Sequence, residues 1–473
     1  VAHRLAHRRI QATSIDFADL RRELELPSQF PPAAQAQAEQ AAAQVRLPER
    51  DRTDLAFVTI DPPTSLDLDQ AVCLLPRPTG GGYRVHYAIA DVLSYVSPGS
   101  PLDEETWLRG QTVYLPDGNI PLHPRVLSEG AVSLLPDSDR AAVVWSIDLS
   151  RDGEVESVSL ERARVRSRAK LNYAGVQSDA DKGTLPPSIE LLPRIGRLLS
   201  ERALARGSVS LPMPAQEVER DGDGWRLVLR PLVPAEEWNA QISLLTGCAA
   251  AQIMLEGKIG LLRTMPAPPE AAIEKLRVAA AGLGVPWPDG KTVGQVLASL
   301  GPASPKTAAF VDEAAELLRG AGYTAFSLEA PDEPAHAAVA APYAHVTAPL
   351  RRLADRYATE VCLALFEGRE VPQAVAEALP KLPGVMASTD RVAGTADRAA
   401  IDLVEATVLE QFVGQTFPAV VLDSEPDRSR ATIALDDPAV RARCDGRVEA
   451  GTRITARLTV ADPVKRQVRF AAA

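Results

Sequence analysis

The amino-acid pattern predicts an α+β chain, with an antiparallel-rich sheet backed by helices, a five-stranded barrel at its C-terminal end and a short helical module in front. Three observations carry this. The stretch Tyr83 to Val96 (YRVHYAIADVLSYV) alternates and then becomes wholly apolar, as a buried strand does. Helical patterns follow: an amphipathic segment over 190–206 stopped by Gly207, a largely apolar one from Glu236 to Leu255, and others at Glu270 to Leu283, Val293 to Leu300 and Thr307 to Leu318. The last 62 residues then show about five short strands, with turns at Asp427-Arg428, Asp436-Asp437-Pro438, Asp445-Gly446 and Ala450-Gly451. That density suits an OB barrel.

Composition narrows the function classes. The 473 residues are 46% hydrophobic and 24% charged, as in a globular protein with at least one large core. The longest apolar run, Ile242 to Met254, is interrupted by Ser243, Thr246 and Gln252 and is too short to span a bilayer. No apolar core follows the basic start VAHRLAHRRI, so no signal peptide is read, and no membrane partner is expected. Cys73, Cys248, Cys362 and Cys444 are scattered without metal spacing, which fits reduced core thiols in the cytoplasm. The net charge of −11 implies no blanket attraction to nucleic acid. Residues 412–473 nevertheless carry ten Lys/Arg against eight Asp/Glu, a slightly basic end on an acidic chain.

In order, residues 1–50 read as a helical module and spacer. His3, Arg4, His7, Arg8 and Arg9 cluster within three turns, and Ser14 or Asp16 could cap a second helix through Leu20 and Leu24. Residues 33–45 (AAQAQAEQAAAQV) are strongly helix-forming between Pro31-Pro32 and Pro48. A helix-turn-helix on nucleic acid and a helical pair packed on the main domain both fit. From residue 51 the texture turns to strands, and a main domain is expected over 51–410, with the barrel over 411–473. After Val96 a proline- and glycine-punctuated run holds Tyr114 in a loop, a place where function often resides. Ala141 to Leu149 reads as a strand. Arg162, Arg164, Arg166, Arg168 and Lys170 then recur with period two and end at Tyr173. Such a basic face is either a charge-blunted edge strand or a stripe that tracks phosphates.

Two constellations carry chemistry. In FVTIDPPTSLDLDQAV (57–72), Asp61, Asp67 and Asp69 fall within nine residues. Extended backbone lets Asp67 and Asp69 point the same way, and the bend at Pro62 and Pro63 folds Asp61 towards them. Gathered carboxylates repel unless a cation lies among them, and hard oxygen donors without Cys or His favour magnesium or manganese. An acidic surface loop is the other reading of the same spacing. In HAAVAAPYAHVTAPLRRLAD (336–355), Tyr343, His345, Thr347, Arg351 and Arg352 precede a helix from Leu353 to Phe366. A loop feeding a helix N-terminus offers N–H groups to an anion, and the arginines add donors. Arginine is disfavoured there by the macrodipole, which argues against a merely solvated first turn. An acidic metal cluster and an arginine anion site are the two halves of phosphoryl-transfer chemistry.

Four blocks resemble the ribonuclease II family and its RNB catalytic domain: TIDPPTSLDLDQAV, YAIADVLSYVSPGSPLDEE with RGQTVYLP, KLNY at 170–173, and YAHVTAPLRRLAD. The resemblance spans about 51–410, with an S-one-type OB domain behind it, and the DLDQA wording with WNAQISLLTG at 238–247 looks like a bacterial branch. It implies a processive 3′→5′ exoribonuclease that releases 5′-nucleoside monophosphates with a divalent cation, acting as a monomer on a single-stranded RNA 3′ end. It implies Asp61, Asp67 and Asp69 as metal ligands and catalytic groups, with Gln70 beside them, and Arg351 at the scissile phosphate. Tyr114 matches an aromatic that stacks on a base, Tyr173 one beside the 3′-terminal nucleotide, and Asp397 a position usually held by glutamate near that terminus. Arg352, Tyr343 and His345 join the expected RNA contacts.

Three departures stand out. Gln70 occupies the place of a fourth aspartate, removing one negative charge from the metal site. The usual partner aromatic to Tyr114 should fall just before Trp225, and Gln216 to Gly224 holds none. The roughly 50 residues before the main domain are too few for the paired cold-shock domains common in the family. The barrel's aromatics are only Phe412, Phe417 and Phe470, which suggests binding mainly by charge. A catalytically silent RNA-binding protein of the same fold is the rival reading.

Overall fold

Ten of the described strands form two closed barrels, and the others pair two by two. The computed structural model describes residues 15–473 apart from 78–79, 212–214, 223, 231, 302–303 and 436. The basic cluster at 3–9, Ser14 and Asp436 lie outside these residues. The first barrel runs β1 (Phe57–Ile60), β2 (Gln70–Pro76), β3 (Tyr83–Ala90), β4 (Asp139–Leu149) and β5 (Val155–Leu171), and is closed by parallel pairing of β5 with β1. Its first four strands read as largely apolar, buried runs because both faces are covered, whereas β5 is charged and partly exposed. Val58, Ile60, Val72, Val85, Tyr87, Ile89 and Trp145 pack into the main core. The alternating positions Phe57, Ala71, Cys73, Ala88 and Ala90 pack into another core with Ala34 and Ala38 of helix α1 (Pro32–Gln44).

Several sequence expectations are revised here. The strand from Tyr83 ends at Ala90, because Asp91 turns the chain by accepting from the Ser94 hydroxyl and binding Arg162 at 2.6 Å. The punctuated run after it contains a helix, α2 (Pro101–Arg109), capped by Ser100, whose hydroxyl accepts from Asp103 N–H. Tyr114 sits in a small hairpin of Val113–Leu115 and Gly118–Ile120, not in an open loop. The basic stripe on β5 is neither an edge nor a free track. It lies inside a closed barrel, with Arg162 on Asp91 and Glu360, Arg164 on Asp51 and Arg166 on Asp139. Arg168 and Lys170 donate to the carbonyls of Thr53 and Pro63. The first described helix, Ala18–Glu23, starts after Phe17, while the Asp16 carboxylate accepts from Ala18 N–H at 2.8 Å.

Helix α3 (Pro234–Gly257) and helix α4 (Leu353–Phe366) supply the main core behind the barrel. Three helices, Glu270–Leu283, Val293–Ala298 and Pro305–Ala315, have their own small core around Leu276, Leu297 and Phe310. Helix α5 (Leu382–Leu409) leads to the second barrel: β6 (Thr416–Glu425), β7 (Arg430–Leu435), β8 (Val440–Asp445), β9 (Arg453–Asp462) and β10 (Gln467–Ala472), ordered β6-β7-β8-β10-β9. Phe417 and Phe470, two of its aromatics, are buried in its interior with Val421 and Leu458. All four cysteines are free thiols, and no helix among the described residues is long and apolar enough to cross a membrane.

Candidate active site

Barrel closure brings the first residues of the site together. Parallel register sets Ile60 beside Leu171, so Asp61, following β1, emerges near Tyr173, following β5; Asp61 N–H donates to Leu171 C=O at 3.1 Å. Asn172 caps the helix that Tyr173 begins, accepting from Gly175 N–H at 2.8 Å. The chain from Pro62 to Asp69 bends and returns as β2, whose first residue is Gln70. Asp69 is nearly fully buried, and its backbone carbonyl accepts from Ala90 N–H on the neighbouring strand.

A loop ahead of α4 meets these carboxylates. Leu350 N–H donates to Asp69 Oδ1 at 2.7 Å, and Arg351 Nε lies 3.7 Å from Asp69 Oδ2. The loop is braced by the chain after α2, since Thr112 N–H donates to Arg351 C=O at 3.0 Å and Leu353 N–H to Gly110 C=O at 2.9 Å. That brace also carries Tyr114, which is half exposed and whose hydroxyl donates to Asp67 Oδ2 at 3.3 Å. Asp61, Asp67, Asp69, Arg351, Tyr114 and Tyr173 thus converge.

The two adjacent arginines separate. The half-exposed Arg351 faces Asp69, whereas Arg352 makes a two-pronged pair with fully buried Asp355 at 3.0 and 2.9 Å. Asp355 lies in the first turn of α4, where a carboxylate suits the dipole, and it also accepts from Ala348 N–H. Its charge resolves the apparent misfit of arginine at a helix N-terminus. Arg352 therefore folds the loop, and Arg351 stays partly open to solvent beside Asp69.

Burial raises Asp61 to about 6, helped by the charge of Asp67 and opposed by Arg351 and Lys170. Burial likewise pushes Asp69 well above the usual carboxylate range, against the pull of Arg351 and the Leu350 N–H. Carboxylates desolvated beside one another are what a divalent cation relieves, so the donor set fits a hard metal ion. Among the described residues, no three His, Cys, Asp or Glu side chains gather closely enough to hold one ion. Magnesium is often held by one or two carboxylates, with water and phosphate completing its shell, so this spacing suits it better than an all-protein cage.

Gln70 looks away from open solvent. Its Oε1 accepts from the Tyr87 hydroxyl and, at 3.3 Å, from Ser243, and those hydroxyls lie 2.8 Å apart. Ser243 belongs to a polar row on α3 that the sequence reading did not assign. Asn239 lies beside Tyr173, Ser243 bonds Gln70, and Gly247 lies against the ring of Tyr343. The spacing of four residues on an otherwise apolar helix was the available signal.

Tyr343 and His345 form a neighbouring aromatic group with Tyr323 and His336; Tyr323 Oη lies 2.6 Å from His345 Nδ1. Burial and the nearby Arg352 and Arg263 hold His345 well below its ordinary value, so its ring is neutral. Asp390 of α5 reaches this group through Arg263 at 3.4 Å. Asp397, two turns further along α5, is exposed. Trp225, just after the segment that lacks a partner aromatic for Tyr114, is buried edge-on against Phe17.

Comparison with known proteins addresses the family and the fold. Ribonuclease R of Escherichia coli is 31% identical over 283 residues, covering 56% of this chain and 34% of its own length. Ribonuclease R of Chlamydia trachomatis is 25% identical over 449 residues, covering 88% of this chain and 61% of its own length. The chain therefore spans between about a third and three-fifths of these relatives. The structure of Mycoplasma genitalium RNase R in complex with ribose-methylated single-stranded RNA superposes with a TM-score of 0.84 at 21% identity, covering 96% of this chain and 77% of that one. Residues 49–366 match the RNB domain and residues 415–473 the RNase II-type exonuclease C-terminal S1 domain, and the chain, with its carboxylates and Arg351 set between these limits, belongs to the RNB-domain family.

Proposed function

We propose that this chain is a 3′→5′ exoribonuclease, processive on single-stranded RNA 3′ ends and releasing 5′-nucleoside monophosphates. The observation that carries it is the geometry at Asp69: a buried carboxylate held between the Leu350 N–H and the Arg351 guanidinium, with Asp61 and Asp67 close enough to repel one another. One or two of Asp61, Asp67 and Asp69 would hold a divalent cation, magnesium or manganese, with water and phosphate completing its shell. When bound, the cation supplies Lewis acidity towards water and phosphate.

The chain's own groups do the rest. Arg351, half exposed and only loosely paired with Asp69 at 3.7 Å, faces the charge that grows on the scissile phosphate. Tyr114 offers an open ring face to a base, and Tyr173, beside Asn239, borders the 3′-terminal nucleotide next to Asp61. The charged and polar face of the second barrel, whose buried phenylalanines are unavailable for stacking, tracks the backbone. A cytoplasmic monomer is the setting in which we place this activity.

Gln70 favours a second reading, a catalytically silent RNA-binding protein, because one carboxylate is replaced by an amide whose oxygen already meets two hydroxyls. End-labelled single-stranded RNA incubated with and without magnesium separates the two. Stepwise shortening from the 3′ end to mononucleotides that requires magnesium supports the exonuclease. Binding without shortening supports the silent reading.

A further inference from the structure

Resting on the reading of Asp69 and Arg351 as the reacting site, we propose that His123 is a positioning residue for both, acting through Leu350. His123 is 1% exposed, and its Nδ1 lies 3.1 Å from Leu350 C=O. A carbonyl only accepts, so Nδ1 carries the proton. On its other side Leu350 donates its N–H to Asp69 Oδ1 at 2.7 Å. One residue is therefore gripped at both backbone groups, by the imidazole and by the carboxylate. The gripped carbonyl belongs to the peptide plane that leads into Arg351, so the same bond sets where that side chain begins.

The rest of the imidazole points to the same role. Burial and then the Arg356 charge push His123 down to about 3, so the ring is neutral and Nε2 is bare. Nε2 is buried without a partner, as are Nε and Nη1 of Arg356 nearby. Leucine would fill a similar volume without stranding a nitrogen. What it would lack is the Nδ1–H donor. The segment that carries His123 also grips Arg351 through Thr112 N–H and Leu353 through Gly110 C=O, and Leu122 N–H closes it on the Thr112 hydroxyl at 3.1 Å. His123 thus completes a brace along Leu350, Arg351 and Leu353.

The test uses the full chain with two variants. His123→Leu keeps volume and removes the donor, whereas His123→Asn keeps an N–H at similar reach. Single-turnover cleavage of end-labelled single-stranded RNA would be measured with magnesium, and equilibrium RNA binding in EDTA. We expect His123→Leu to cleave about tenfold or more slowly, with affinity unchanged within about twofold, and His123→Asn to recover most of the rate. Nitrogen-15 histidine spectra of the wild type should show the Nδ1–H tautomer. Wild-type cleavage by His123→Leu overturns the proposal, as does a proton on Nε2. So does an asparagine variant as slow as the leucine one at equal thermal stability, or a loss of RNA affinity that matches the loss of rate. Should His123→Leu fail to fold, the asparagine variant and the tautomer still decide. A wild-type chain that does not cleave overturns the exonuclease reading and this proposal together; an active wild type indifferent to His123 overturns this proposal alone.

Discussion

At the scale of single residues, Arg351 and Arg352 are neighbours with opposite tasks. Arg351 faces Asp69 from a half-exposed position, so its removal deprives the transition state of a donor and leaves the fold alone. Arg351→Ala should lower the single-turnover rate by about two to three orders of magnitude with little change in RNA affinity. Arg351→Lys should recover only part, because the charge returns without the fork. Arg352→Ala strands Asp355, which is fully buried, and should cost about 3–5 kcal/mol of stability by denaturant unfolding. Equal stability of the two alanine variants would contradict this division. Asp69→Asn should abolish cleavage and leave RNA binding nearly intact, since it changes the reacting site and not the channel; near wild-type turnover would remove Asp69 from the mechanism.

Among elements, α3 does more than fill the core. Its row of Asn239, Ser243 and Gly247 sets Tyr173, Gln70 and Tyr343 in place from one helix face. At Gly247 a Cβ would sit 2.2 Å from Tyr343 Cε2 and 2.6 Å from Ala344 C=O, backbone that cannot swing aside. Gly247→Ala gains helix propensity yet should destabilise the chain, by roughly 1–3 kcal/mol from overpacking. It should also slow cleavage, because Ala344 lies in the segment leading to Arg351. A variant as stable and as active as the wild type would show that α3 and this segment can slide apart freely.

For the whole molecule, the junction between the two barrels turns on Glu405 of α5. This buried carboxylate accepts from the Gln216 side chain at 2.8 Å and from Arg441 N–H of the second barrel at 3.1 Å. Gln216, in the strand Ala215–Asp221 that pairs with Gly224–Arg230, also donates to Ala439 C=O at 2.7 Å, so one glutamine and one glutamate join that strand pair, helix and barrel. Burial raises Glu405 from 4.5 to about 7, with Asp402 adding to it. A carboxyl raised in the folded state binds its proton more tightly there than when unfolded. Its contribution is complete below about pH 4.5 and is lost as pH rises through about 7. Glu405→Gln keeps an acceptor and cannot ionise, so its stability relative to wild type should improve between pH 5 and 8, by on the order of 3 kcal/mol. Parallel stability curves for the two proteins across that range would refute the assignment.

Local chemistry in the sequence determined the fold class, strands and helices with a five-stranded barrel behind them. Apolar runs, turn residues and proline breaks act over a few positions, so the helices at Glu270–Leu283 and Leu353–Phe366 and the five-stranded tail were all legible. The clustering of Asp61, Asp67 and Asp69 was legible for the same reason. What each group does there was decided by contacts between residues far apart in the chain. Only parallel pairing of β5 with β1 sets Tyr173 by Asp61, and only barrel closure turns the β5 arginines onto Asp91, Asp51 and Asp139. The split between Arg351 and Arg352 depends on Asp355 being buried while Asp69 sits across the loop. His123 carried no local signal, because a lone histidine acquires a role only when folding places a carbonyl within its reach. Periodicity records which face of an element is buried, and the partner on that face is chosen by the tertiary structure.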